Sequence, residues 1–413
     1  VFLQEVQEKR KWWQKIWQRI PENIRPAVAD SELFNIEFLE GMKTQIQSWQ
    51  QELEKEQAYL SRYEKVVNKW IGKIRQPSEQ DKQELRQIYI DNTNVIGITC
   101  SQAAGFAFKE FNSFDVVIID EVSKCTPPEL LMAALKGKKL VLIGDYRQLP
   151  PMFNDSTIEE IAEELDRTAE DLNFLRDSLF KVQFETAGDN IKQWLNTQYR
   201  MHPVIMGAIN QFYDGRLICG LVDHDTERAH KIIGQNIQES HHLIWVKMPA
   251  ENVYREKKEG TSYYNEKEVE VIDALCQEME DAWAEKIVNG ESKKEVGIIT
   301  FYGAQLRRIE DMLNNRKFPS LHIRTGTVDR FQGMERAVII VSLVRNNSEK
   351  NVGFAKKPER INVAFSRPQE LLVIIGCHSL FTQHSSKVGR MYSEVSKIAS
   401  LNGGLIDVSQ IFS

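Results

Sequence analysis

Paired cysteines, long apolar runs, repeats and an excess of positive charge are all missing from this sequence, and each absence narrows the field. Its five cysteines, Cys100, Cys125, Cys219, Cys276 and Cys377, lie far apart and form no CxxC pair. That spacing gives neither a disulfide framework nor a zinc site, and it fits a reducing compartment, cytoplasmic or nuclear/nucleoid. No apolar stretch approaches the roughly 20 residues of a membrane span, and no secretory signal opens the sequence, so no membrane partner is expected. No internal repeat or low-complexity tract is evident. The net charge of −6 argues against nonspecific coating of a polyanion, although a narrow basic groove inside an acidic envelope is compatible with it. What is present is ordinary for a globular protein: 413 residues, 42% hydrophobic and 27% charged, enough for two or three domains.

The first part of the chain reads as helix. Over residues 31–75, Leu39, Met42, Ile46, Trp49, Leu53, Leu60, Tyr63, Val67, Trp70 and Ile74 keep an alternating three/four spacing that only Glu56 breaks, which is a coiled-coil seam. A similar stripe opens the chain in Phe2, Val6, Trp13, Ile16 and Ile20, interrupted at Lys9. Pro21 to Pro26 then turn the chain before Asp30 and Ser31 offer helix caps. A helical hairpin follows, but twenty residues cover only half of a helix about 68 Å long. The remaining cover is expected upstream of Val1, which is itself not a methionine. Packing of the stripe on a globular body is the other reading. Trp12, Trp13, Trp17, Trp49 and Trp70 fit core packing better than a base-stacking platform.

Beyond Pro77, short apolar runs alternate with helical segments: 95–99, 116–120, 140–144, 243–246, 296–300, 338–342 and 371–376. Most are continuous rather than alternating, as in parallel strands covered by helices on both faces. The expected fold class is therefore α/β with two doubly wound parallel sheets. The divisions fall at residues 1–92, 93–188 and 189–413. Residues 155–171 read as a solvated helical connection, 257–260 as an exposed loop, and His241-His242 as a loop or strand edge without metal-ligand partners.

Chemistry concentrates at two strand ends. Val116-Val117-Ile118-Ile119 runs into the adjacent carboxylates Asp120 and Glu121, and a second strand ends in Gly144-Asp145 with Gln148 just beyond. Such a sheet edge can present a metal ligand, a base and a phosphate sensor together: Asp120 for Mg²⁺, Glu121 for the attacking water. Three further motifs accompany it in order: Gln198-Tyr199-Arg200-Met201-His202-Pro203, then Gly326-Thr327-Val328-Asp329-Arg330-Phe331-Gln332-Gly333-Met334-Glu335, then Arg360-Ile361-Asn362-Val363-Ala364-Phe365-Ser366-Arg367.

In these motifs, and in Thr99-Cys100-Ser101, Ser178-Leu179-Phe180, Ser262-Tyr263-Tyr264-Asn265 with Glu268, and Gly297-Ile298-Ile299-Thr300 with Gln305, the chain resembles the superfamily-one helicases of the up-frameshift type. That group includes the nonsense-mediated-decay helicase and senataxin, and the resemblance runs from about Val95 to Cys377. It implies two RecA-like domains with a helical coiled-coil stalk inserted in the first. It implies an ATP-dependent helicase or translocase moving 5′ to 3′ on single-stranded DNA or RNA, with ATP and Mg²⁺ as cofactors and a protein partner on the stalk. Asp120 would coordinate Mg²⁺, Glu121 activate water and Gln148 sense the γ-phosphate, while Arg200 and Arg367 would reach that phosphate from the second domain. Tyr199 would contact the base, and Gln332, Gly333 and Glu335 would complete the nucleotide pocket. Thr99, Thr300 and Thr327 would face the nucleic-acid backbone.

Departures from the pattern are few. No GxxxxGK[ST] phosphate loop occurs; Gly72-Lys73 and Gly137-Lys138 both lack the following hydroxyl residue. Residues 1–413 alone are therefore expected to bind ATP poorly and to hydrolyse none. Lys124 stands where the family usually has a neutral residue, and Pro368-Gln369 replaces the common Ala-Arg. A non-catalytic nucleic-acid clamp or scaffold is the alternative function.

Overall fold

The computed structural model describes residues 2–21, 25, 36–105, 114–151, 155–168, 170–172 and 178–412. The caps expected at Asp30 and Ser31 lie outside them. The chain divides into two compact units, residues 1–97 and 98–413.

The first unit is helical: Phe2–Arg19, Ile36–Arg75 and Glu79–Asp91. The apolar stripe of the first helix packs on the long one through Trp17, with Trp13 and Ile20 beside it, against Met42. Beyond that contact Leu53, Leu60, Tyr63 and Ile74 are exposed and Trp49 and Val67 half-buried, so among the described residues no seam position past Met42 is fully buried. The third helix falls within the expected helical segment 1–92, although no apolar stripe marked it out. Ser78 caps it with a reciprocal bond to Asp81, and Lys73 pairs with Asp81 at 2.6 Å. The run at 95–99 is a correction: it forms no strand. No strand lies beside it among the described residues, and Thr99 instead caps the short helix Cys100–Ala103 through Gln102.

The second unit is mixed α/β. Its strands, in chain order, are β1 (Phe114–Ile119), β2 (Gly137–Leu142), β3 (Thr197–Gln198), β4 (Ile218–Cys219), β5 (Leu243–Met248), β6 (Lys257–Glu259), β7 (Ser262–Tyr264), β8 (Lys294–Thr300), β9 (Leu321–Thr327), β10 (Arg336–Ser342), β11 (Pro368–Cys377) and β12 (Leu405–Asp407). Six of them make one parallel sheet in the order β12-β5-β11-β10-β8-β9. β1 and β2 make a separate parallel pair.

The large sheet is buried on both faces, which is why its strands carry uninterrupted apolar runs. Leu243, Trp245, Ile339, Val341, Leu372 and Ile374 face one core, closed by helices Pro203–Asn210, Pro358–Phe365 and Lys387–Leu401. The alternate residues Ile244, Val246, Val338, Ile340, Val373 and Ile375 face the other, closed by helix Glu266–Val288. Two edge strands escaped the sequence reading. β9 alternates polar and apolar residues because it pairs on one side only, and β12 has three residues. The expected loop at 257–260 is instead a hairpin, β6 to β7, turned at Gly260 with φ +59°.

Candidate nucleotide site

The carboxylate pair follows β1 on a tight parallel join. Ile143 donates to the Ile119 carbonyl at 2.8 Å and Val122 to the Ile143 carbonyl at 3.0 Å, so β1 and β2 stay zipped through the turn. Glu121 takes a left-handed conformation, φ 52°, and donates its amide to Asp120 Oδ1 at 2.8 Å. For a residue with a Cβ this is an unfavourable conformation, found where neighbouring structure enforces it. Gly144 makes the join feasible: a Cβ there would lie 2.9 Å from Val122 Cγ1 and 3.0 Å from the Ser123 nitrogen. Asp120 and Glu121 are exposed at the strand end.

From Gly144 a chain of polar contacts crosses to the large sheet. Asp145 accepts from the Arg147 amide at 3.0 Å, from Gln148 Nε2 at 2.9 Å and from the Tyr213 hydroxyl at 2.5 Å. Tyr213 accepts in turn from Asn362 Nδ2 at 2.9 Å, and Asn362 also donates to the Arg147 carbonyl at 3.0 Å. Burial, then the Asp145 carboxylate, push the Tyr213 phenol well above its usual range, so it stays a donor. Leu149 is inserted into the same core as Met201, Ile205 and Phe212, and anchors the segment that carries Gln148. Burying such a side chain contributes about 1.5–3 kcal/mol.

Gln148 Oε1 accepts from Arg367 Nη2 at 3.4 Å. Arg367 is 2% exposed and also donates to the Val363 carbonyl (2.9 Å), the Ser366 hydroxyl (2.8 Å) and the Met334 carbonyl (3.4 Å). Its guanidinium is brought down to about 10, first by burial and then by the neighbouring Arg200 charge, against the opposing pull of Tyr213, Glu121 and Asp145. Arg200 binds Glu335 Oε2 at 2.7 Å and the Ser366 carbonyl at 3.1 Å, and Gln369 holds the other Glu335 oxygen at 2.9 Å. Gln198 Oε1 closes the turn beneath Arg200, accepting the Arg200 and Met201 amides at 2.9 Å each.

Gln148, Arg200, Glu335 and Arg367 are thus brought into one contact network, with Glu121 close enough to act electrostatically on Arg367. Gln332 lies beside it, 8% exposed, and neither of its amide atoms has a partner among the described residues. Gly333 follows in a left-handed conformation, φ +79°. Tyr199 is 63% exposed, and its carbonyl accepts from Arg228 at 2.7 Å. The three threonines are not gathered. Thr99 is occupied as a helix cap, whereas Thr300 and Thr327 are register partners on β8 and β9, with the Thr300 hydroxyl fully buried and unpartnered among the described residues. Sequence reasoning assigned no role to Tyr213 or Asn362. Asn362 sits inside a quoted motif, but Tyr213 carried no signal.

Residues 3–155 and 175–379 match two AAA domain families. The chain is 30% identical over 340 residues to an uncharacterized ATP-dependent helicase of Methanocaldococcus jannaschii, covering 81% of this chain and 46% of that protein. It is 31% identical over 303 residues to the DNA polymerase alpha-associated DNA helicase A of Saccharomyces cerevisiae, covering 69% and 41%. With the Regulator of nonsense transcripts 1 of Caenorhabditis elegans the identity is 30% over 301 residues, covering 70% and 25%. The chain spans less than half the length of each of these relatives. With the motifs in family order and their residues joined in one network, these matches make the chain a member of the superfamily-one helicases of the up-frameshift type.

Proposed function

We propose that this chain belongs to an ATP-dependent motor that translocates on, or unwinds, nucleic acid in the 5′ to 3′ direction. The observation that carries the reading is the contact of Arg367, from the turn before β11, with Gln148, beyond β2. Residues 93–188 and 189–413 are then two RecA-like lobes, and the helical unit is a stalk inserted in the first, available to a protein partner.

Asp120 is the residue that would hold Mg²⁺, its exposed carboxylate making one bond among the described residues, to the next amide. The ion would supply charge neutralisation between phosphate oxygens. Glu121, exposed at the same strand end, is the group that would take a proton from the attacking water. Arg367 and Arg200 stabilise the charge that develops on the γ-phosphoryl group, and Gln148 links that event to Asp145 and the carboxylate turn. The unpaired Gln332 amide fits a nucleotide that completes its hydrogen bonds, because an orphaned buried amide costs about 1–3 kcal/mol. Glu335, three residues on, completes that pocket, Gly333 lets the backbone turn beside it, and the exposed Tyr199 ring is the proposed contact of the base. Thr99 and Thr327 remain proposed backbone contacts of the nucleic acid, with Thr300 requiring a rearrangement that opens its buried hydroxyl.

The test is ATP hydrolysis by the full-length protein with and without single-stranded DNA or RNA. Stimulation by either polymer is expected, and its identity assigns the substrate. Hydrolysis that neither polymer stimulates refutes the motor reading. Residues 1–413 alone, which contain no GxxxxGK[ST], are expected to show none.

A further inference from the structure

A second cluster of titratable side chains gathers at the end of the Gln198–Pro203 turn, around His202. His202, the cap of helix Pro203–Asn210, is 4% exposed. Its ring lies flat on His242, centroids 3.4 Å apart and planes 12° apart, and meets His224 edge-on at 5.3 Å. Asp225 Oδ1 lies 3.0 Å from His202 Nε2 and 3.0 Å from His224 Nδ1. One ligand atom from each of these three residues falls within 4.8 Å of the others.

We propose that His202, His224 and Asp225 bind a divalent transition metal of the zinc or cobalt class. Two imidazole nitrogens and a carboxylate oxygen are a donor set for such ions. Asp225, 78% exposed, leaves a remaining coordination position open to solvent. The surrounding bonds set the tautomers. His242 Nδ1 donates to the Glu370 carbonyl at 2.8 Å, which orients that ring as a stacking surface behind His202. His202 Nδ1 accepts the Val204 amide at 3.3 Å, so the ring proton sits on Nε2, facing Asp225. Metal binding at Nε2 moves that proton to Nδ1 and gives up this one long cap bond in exchange for three metal–ligand bonds.

The location gives the site a consequence. Arg228, just after His224–Glu227, donates to the Arg200 carbonyl at 2.6 Å and to the Tyr199 carbonyl at 2.7 Å. A metal held between His202 and the 224–225 turn ties the same two segments a second time and fixes the backbone that carries Arg200. The proposal is independent of the motor reading.

Cobalt(II) alone, titrated into the intact chain, tests it. One equivalent is expected to bind with visible ligand-field bands and no thiolate charge-transfer band, and zinc is expected to displace it. His224→Ala, at a half-buried position, and Asp225→Asn, at an exposed one, should each weaken binding at least tenfold, and His241→Ala should leave it unchanged. Absence of binding, wild-type affinity in either ligand variant, or a thiolate band, which would move the ion to a cysteine such as the Cys100–Cys125 pair at 3.8 Å, overturns it.

Discussion

Replacing Arg367 separates a structural arginine from one that stabilises a transition state. In the folded chain its guanidinium satisfies the carbonyls of Val363 and Met334, the hydroxyl of Ser366 and the amide oxygen of Gln148. Arg367→Ala strands those acceptors in a site that is 2% exposed. With one or two acceptors left unpaired at about 1–3 kcal/mol each, the unfolding free energy should drop by about 2–4 kcal/mol. Loss of an arginine that meets the γ-phosphoryl group costs more in rate, a factor of about 10³–10⁵, or roughly 4–7 kcal/mol of barrier. The assay is nucleic-acid-stimulated ATP hydrolysis by the full-length protein well below its thermal transition, beside equilibrium binding of a fluorescent ATP analogue. Binding within a few-fold of wild type and turnover down at least a thousandfold are expected. Arg367→Lys, which keeps the charge but not the planar fork, should recover stability more than rate. Turnover within tenfold of wild type in a folded Arg367→Ala protein refutes the assignment.

Three further outcomes follow from the packing. Burial raises the Glu268 carboxyl from 4.5 to about 8, against the bonds it accepts from Ser342 and the Val344 amide. The folded chain then keeps a proton that the unfolded chain releases, so this group's contribution is fully present below about 4.5 and is lost as pH rises through about 8, by at most about 5 kcal/mol. Denaturant midpoints of Glu268→Gln should lack that decline, and parallel profiles for the two proteins would contradict it. Arg345 and Glu256 form an ion pair at 2.9 Å with side chains 5% and 7% exposed. Arg345→Met should destabilise by about 3–5 kcal/mol, and adding Glu256→Gln should restore part of it, read by chemical denaturation. Gly144→Ala forces a methyl group against Val122 and should cost about 1–3 kcal/mol. The same variant should slow ATP hydrolysis in the full-length protein, because the displaced backbone is the one that aims Asp120 and Glu121.

Much of the large sheet is legible as sequence because its strands are covered on both faces, whereas β1 and β2 leave Val116, Ile118, Leu140 and Val141 exposed. The runs at 243–246, 296–300, 338–342 and 371–376 each fall inside a strand of the large sheet, since only continuous apolar segments can be buried twice. Legibility failed where local chemistry competes with pattern. Thr99 turns its segment into a helix cap, β9 dilutes its apolar signal by lying at an edge, and the helix at 79–91 is announced by a capping box rather than by a stripe. At the candidate site, sequence alone determined residue identity and order, because carboxylate pairs, left-handed glycines and motif arginines are local signatures. Contacts between residues far apart in the chain were decided by tertiary structure. Arg200 meets Glu335, Arg367 meets Gln148, Tyr213 joins Asp145 to Asn362, and His202 comes to rest on His242 and beside Asp225. No periodicity encodes such pairs. They exist because burial leaves each polar group a small set of partners, and the strand order of the sheet selects which of them comes within reach.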